Sequence, residues 1–120
     1  MKGEQKQRYE IRLLVRLPAL PALNTNKGGA AKVGMEAHAN FYKILKAKGW
    51  EANTRRWYQG RLLGPDGISP TGKFFLELKP LTQSGITKGK WQAKLYKKFT
   101  GMHGRVVYYD PLTGRLLWPF

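Results

Sequence analysis

The sequence has no cysteine, which excludes disulfides and thiolate metal sites and leaves the redox compartment open. It also has no long apolar run. Nothing in its 120 residues is long enough to span a bilayer, so a soluble chain without membrane contact is expected. The opening residues 1–7 are polar and mixed in charge, without the apolar segment and small-residue cleavage site of a secretory signal. Acidic side chains are scarce: seven Asp and Glu stand against 22 Lys and Arg, a net charge of +15. Such an excess repels itself in the folded state and is kept where it attracts a polyanion. Solubility or an acidic protein partner are the alternatives, and nucleic acid is the expectation carried forward. Charge of this kind gives affinity for phosphate but no activity.

The length suits one domain with one core, and a hydrophobic content of 42% favours a folded chain over a disordered one. No repeat or shift in composition divides it. Residues 1–29 read as an N-terminal strand and loop extension, and 30–120 as the core. In the extension, Ile11, Leu13, Val15 and Leu17 alternate as in a strand, which Pro18 and Pro21 end. Apolar residues at helical spacing predict a helix over 30–48, stopped by Gly49. Strands are expected over 50–58, from 61–63 up to a Gly-Pro-Asp-Gly break, and over 73–79 between Gly72 and Pro80. A second helix is expected over 87–99, with Trp91, Leu95 and Phe99 as its apolar stripe. A terminal hairpin of 105–109 and 115–118 would close around Asp110 to Gly114. The order is helix, strands, helix, strand: an α/β (α+β) fold with a central mixed sheet flanked by helices.

With so few carboxylates, their positions are informative. Glu77 lies inside the most apolar strand, and alternation places Phe75, Glu77 and Lys79 on one face, with Phe74, Leu76 and Leu78 on the other. Asp66 follows Pro65 with ten residues between it and Glu77, a length over which a hairpin can set the two side by side. Two converging carboxylates can hold Mg²⁺, with water and a phosphate oxygen completing its shell. A neighbouring lysine can orient hydroxide and stabilise charge developing on phosphorus. Taken singly, each fragment has a plainer reading: a solvated Glu–Lys pair and a Pro-Asp-Gly turn. Their joint order and the apolar strand around Glu77 favour the metal site.

Pro65-Asp66, ten residues, then Glu77-Leu78-Lys79 resembles the motif of the PD-(D/E)xK nuclease superfamily. That superfamily's core runs helix, three-stranded meander, helix, strand, close to the order read here, and the resemblance implies a restriction-endonuclease-like core. Gln92-Ala-Lys-Leu-Tyr96 matches the QxxxY motif of its RecB-type members, whose spacing puts both side chains on one helix face. The first helix of the superfamily often supplies an acidic residue, for which Glu36 is the candidate, with His38 nearby. The segment from Pro65 to Phe99 and the later Tyr109-Asp110-Pro111 also look like the C-terminal nuclease domains of bacterial polymorphic toxins. Together the resemblances cover about two thirds of the chain.

They imply Mg²⁺ or Mn²⁺, a DNA substrate and phosphodiester hydrolysis. Asp66, Glu77, the Leu78 carbonyl and Glu36 would be metal ligands, Lys79 would assist the attacking water, and Gln92 and Tyr96 would support the site. The toxin likeness further implies an acidic immunity protein and a cytoplasmic site of action reached by secretion within a larger chain. A junction-resolving nuclease of a phage or mobile element shares this chemistry and would act on branched DNA as a homodimer. The rival from another class is a non-catalytic basic module that binds nucleic acid.

Arg55, Arg56, Lys88, Lys90 and Lys94 are the expected DNA contacts. The aromatics interleaved with them, such as Trp57 and Trp91, could stack on unpaired bases, but their strand and helix spacing favours core residues, with the cations as the contact. Asn26-Lys27-Gly28-Gly29 lacks full phosphate-loop spacing and reads as a plain loop, as does His103.

Overall fold

The structure, a computed structural model, describes residues 29–117. Helix α1 (Gly29–Ala47) is followed by strands β1 (Glu51–Ala52), β2 (Arg56–Tyr58), β3 (Arg61–Leu63), β4 (Gly67–Ile68) and β5 (Phe74–Pro80). Helix α2 (Gln83–Thr100) and strand β6 (His103–Tyr109) complete it. The strand expected within 9–17 and the residues Asn26, Lys27 and Gly28 lie outside the described residues.

In α1, Val33, Ala37, Phe41 and Leu45 recur every fourth position and are buried. The helix ends where Gly49 turns into the left-handed region (φ 81°). There the Trp50 N–H donates to the Leu45 carbonyl and the Gly49 N–H to that of Lys46, a Schellman arrangement.

Four strands form a mixed sheet in the order β1-β4-β5-β6, with β5 and β6 parallel and the other pairs antiparallel. Parallel neighbours need a crossover, which α2 supplies. Central β5 buries side chains on both faces. Leu76 and Leu78 join the α1 stripe, Val107 and Tyr109 in one cluster. Phe75 joins Ala93 and Tyr96 of α2, with Val106 and Tyr108, in the other. The two helices therefore cover opposite faces of an α+β fold.

Four expectations change. The strand expected over 50–58 is broken at Asn53 (φ 55°), leaving β1 paired with β4 and β2 with β3. Both pairings keep one register, so residues 51–68 form a single ribbon interrupted midway, where Pro65 has no N–H to donate.

In α2 the buried stripe is Gly85, Gly89, Ala93 and Tyr96, whereas Trp91 is 66% exposed and Leu95 and Phe99 are half-buried. Small residues win that face because the helix lies almost on the sheet. A Cβ on Gly89 would stand 2.9 Å from Val106 Cγ1. The helix also begins earlier than expected, at a cap in which Thr82 Oγ1 accepts from the Gly85 N–H at 3.0 Å.

Among the described residues the terminal hairpin is present as one bridge between Tyr109 and Leu116, residue 118 lying outside them, and Asp110 organises the turn by accepting from the Leu112 N–H at 2.8 Å.

Candidate functional site

The ribbon's interruption creates the site. Beyond the pairs Gly67–Leu76 and Ile68–Phe75, β4 continues back into Asp66, where the ladder to β5 opens. The Leu78 N–H at that opening donates to Asp66 Oδ2 at 2.7 Å, and the Asp66 N–H donates to Glu77 Oε1 at 3.0 Å. Each carboxylate thus takes the place of a ladder acceptor, which locks the two together. N–H and C=O of one strand residue point to the same edge, so the Leu78 carbonyl faces this opening as well.

Both carboxylates are buried, Asp66 8% and Glu77 4% exposed, where unpaired acidic groups are rarely found. Lys79 Nζ lies 3.5 Å from Glu77 Oε2. From α1, the Tyr42 hydroxyl donates to Asp66 Oδ1 at 2.9 Å, and His38 Nε2 stands 3.5 Å from Oδ2. The other His38 ring nitrogen is tied to the Gly34 carbonyl at 2.8 Å. From α2, Gln92 Nε2 donates to the Tyr96 hydroxyl at 2.9 Å. Gln92 Oε1 is buried without a hydrogen-bond partner among the described residues.

The two acids differ in their titration. Burial pushes the Asp66 carboxyl up, but hydrogen bonds from His38 and the Leu78 N–H outweigh it and hold it below its ordinary value. Burial and then the Asp66 charge push Glu77 up to about 8, against the pull of Lys79. The hydrogen bond to Asp66 raises His38 against its own burial. Burial, then the charges of Glu77 and Asp66, raise the Tyr96 hydroxyl, which keeps it a neutral donor.

This electrostatic strain is of the kind a divalent cation relieves. Asp66 and Glu77 offer hard oxygens, and the Leu78 carbonyl faces the same gap. Among the described residues no three His, Asp or Glu side chains form a ready-made cage. Two carboxylates with water and phosphate oxygens are a donor set of the kind by which Mg²⁺ is commonly held.

Glu36, expected as a ligand, is exposed and is not brought to the pair. At 100° per residue it lies about 200° around α1 from His38, so the helix turns His38 and Tyr42 inward instead.

Beside Tyr96 opens a cleft of about 650 Å³, lined by Arg55, Arg61, Leu62, Gln92, Leu95 and Tyr96 among others. Arg55 is on its wall, whereas Arg56 is engaged in an exposed ion pair with Glu51. Lys88, Lys90 and Lys94 are exposed on α2. Sequence reasoning missed Tyr42 and Arg61. The four-residue step from His38 to Tyr42 was a signal for the first, whereas only the hairpin's geometry reveals the second.

Comparison with protein-family models, with curated proteins and with solved structures returned no match. Among the described residues no helix is long and apolar enough to cross a membrane.

Proposed function

We propose that this chain is a metal-dependent endonuclease hydrolysing DNA phosphodiester bonds, with a restriction-endonuclease-like core of the PD-(D/E)xK type. The observation that carries the reading is the locked Asp66–Glu77 pair with Lys79 beside it. Proteins rarely keep two buried carboxylates in mutual contact at the cost of raising one to about 8 unless a cation or a proton-transfer task requires it.

Asp66, Glu77 and the Leu78 carbonyl would hold Mg²⁺ or Mn²⁺, with His38 positioning Asp66. When bound, the cation supplies Lewis acidity toward the phosphate and lowers the pKa of a ligated water. Lys79 directs its ammonium at the attacking oxygen and the charge accumulating on phosphorus. Tyr96, oriented by Gln92, donates to a non-bridging phosphate oxygen. Water adds to phosphorus and gives up a proton to solvent, the P–O bond to the leaving sugar breaks, and the leaving oxygen takes up a proton from solvent. Arg55 and Arg61 on the cleft wall, with Lys88, Lys90 and Lys94 on α2, bind flanking phosphates. The likeness to toxin nuclease domains adds an acidic immunity protein as a partner for these basic residues.

In the test, purified protein is incubated with supercoiled plasmid and Mg²⁺. Nicking or cutting is expected, and it should stop with chelator or in Glu77→Ala while the circular dichroism spectrum stays native. Salt-sensitive DNA binding that is indifferent to Asp66→Ala and Glu77→Ala, with no cutting, would instead identify a non-catalytic binding module.

A further inference from the structure

Among the described residues two tryptophans are left in solvent, Trp57 at 71% and Trp91 at 66% exposure. Neither lines the cleft itself, but each neighbours a residue that does, Trp57 by Leu62 and Trp91 by Leu95. In the β2–β3 hairpin Trp57 is directly opposite Leu62, so the two side chains share one face about 5 Å apart. Leu62 lines the cleft and is itself 38% exposed. On α2, Trp91 follows Lys88 by three residues and precedes Leu95 by four, so the three share one stripe, and Leu95 and Gln92 form the cleft's other wall.

The hairpin is held firmly enough to act as a wall. Its turn places Gln59 (φ 50°) and Gly60 (φ 79°) in the left-handed region, the two-residue type I′ geometry. Gln59 Nε2 donates to the Phe99 carbonyl at 2.9 Å, and the Arg61 guanidinium lies 5.1 Å from the centre of the Phe99 ring. Leu63 and Tyr58 pack into the α2-side cluster. The inner face of the hairpin is thus satisfied, while its outer face offers Trp57 and Leu62.

We infer that Trp57 and Trp91, flanking this cleft next to Leu62 and Leu95 of its lining, are base-stacking platforms, and that the protein binds single-stranded DNA in preference to duplex. Arg55, Arg61 and Lys88 among these apolar surfaces match a chain that alternates anionic phosphates with flat apolar bases. Intact duplex presents the phosphates but hides the base faces within its stack. A second copy of this chain is the poorer occupant, since it would set the same cations against each other. The inference takes the identity of the polymer from the nuclease reading, and its test is independent of catalysis.

Wild type, Trp57→Ala, Trp91→Ala and Trp57→Phe are titrated with a fluorescein-labelled oligo-dT of about 16 nucleotides and with a duplex of that length, in chelator so that nothing is cut. Each alanine variant should lose about tenfold in affinity for the single strand and less than about twofold for duplex, with Trp57→Phe close to wild type. The salt slope should be unchanged in the tryptophan variants and shallower in Arg61→Ala. Equal losses on both DNAs, or no loss on either, would overturn the inference. So would self-association in sedimentation that the double alanine variant abolishes, since the tryptophans would then hold a second copy. Plasmid cutting by the same preparations reads the nuclease reading separately: intact cutting with no tryptophan effect defeats only the stacking platforms, and absent cutting with a selective tryptophan effect defeats only the nuclease.

Discussion

Glu77 ties charge to stability in a way that can be measured without substrate. Its carboxyl titrates near 8 when folded, far above its ordinary 4.5. The folded state therefore holds a proton that the unfolded chain has already released. Stability is undiminished below the ordinary value and falls as pH rises through the window up to about 8. Metal-free protein should melt at a lower temperature at pH 8 than at pH 5.5. Glu77→Gln, which keeps an acceptor for the Asp66 N–H but never ionises, should flatten that part of the profile, and Mg²⁺ should restore wild type at pH 8. A profile identical in wild type and Glu77→Gln would show that the burial of this charge costs nothing. Asp66, Glu77 and Lys79 were legible in the sequence because a hairpin confines them to fifteen residues of chain, from Asp66 to Pro80. His38 was legible only as a neighbour of Glu36, and Tyr42 only through its four-residue step from His38, since nothing local says which helix face meets Asp66. Glu36 was a chemically sensible choice, but it sits on the wrong side of the helix.

Among the elements, α1 was readable from its four-residue apolar spacing and its glycine stop. α2 was misread for a physical reason: hydrophobicity ranks Trp91 above Gly89, yet a helix lying this close to a sheet buries the residues that take up no room. Gly89→Leu should therefore be more harmful than its apolar character suggests, because its side chain meets Val106 and the Lys79 stem at once. A loss of roughly 1 to 3 kcal/mol in urea denaturation is expected, with Lys79 displaced as well. Thr82→Ala, which removes only the helix cap, should cost about 1 kcal/mol and leave the site in place. Equal effects on activity from these two variants, at matched stability, would argue that α2 does not position Lys79. The ribbon's break was half legible. Gly64-Pro65-Asp66-Gly67 marked a turn, but the left-handed Asn53 opposite it left no trace in the pattern of the expected strand.

For the whole molecule, a net charge of +15 dominates the approach to any partner. DNA affinity should fall steeply with salt, by about 0.9 log units per log unit for each phosphate contact. Lys88→Ala and Lys94→Ala should each flatten that slope by about one contact, which fluorescence anisotropy across a salt series will read. Binding of this kind needs no carboxylate pair, so it cannot distinguish a nuclease from a basic binding module. Cleavage can. The decisive measurement is conversion of supercoiled plasmid to nicked or linear form by wild type and by folded Glu77→Ala, with Mg²⁺ and with chelator. The account predicts conversion only for wild type with Mg²⁺. Equal conversion by Glu77→Ala, or none by wild type with either Mg²⁺ or Mn²⁺, would contradict it.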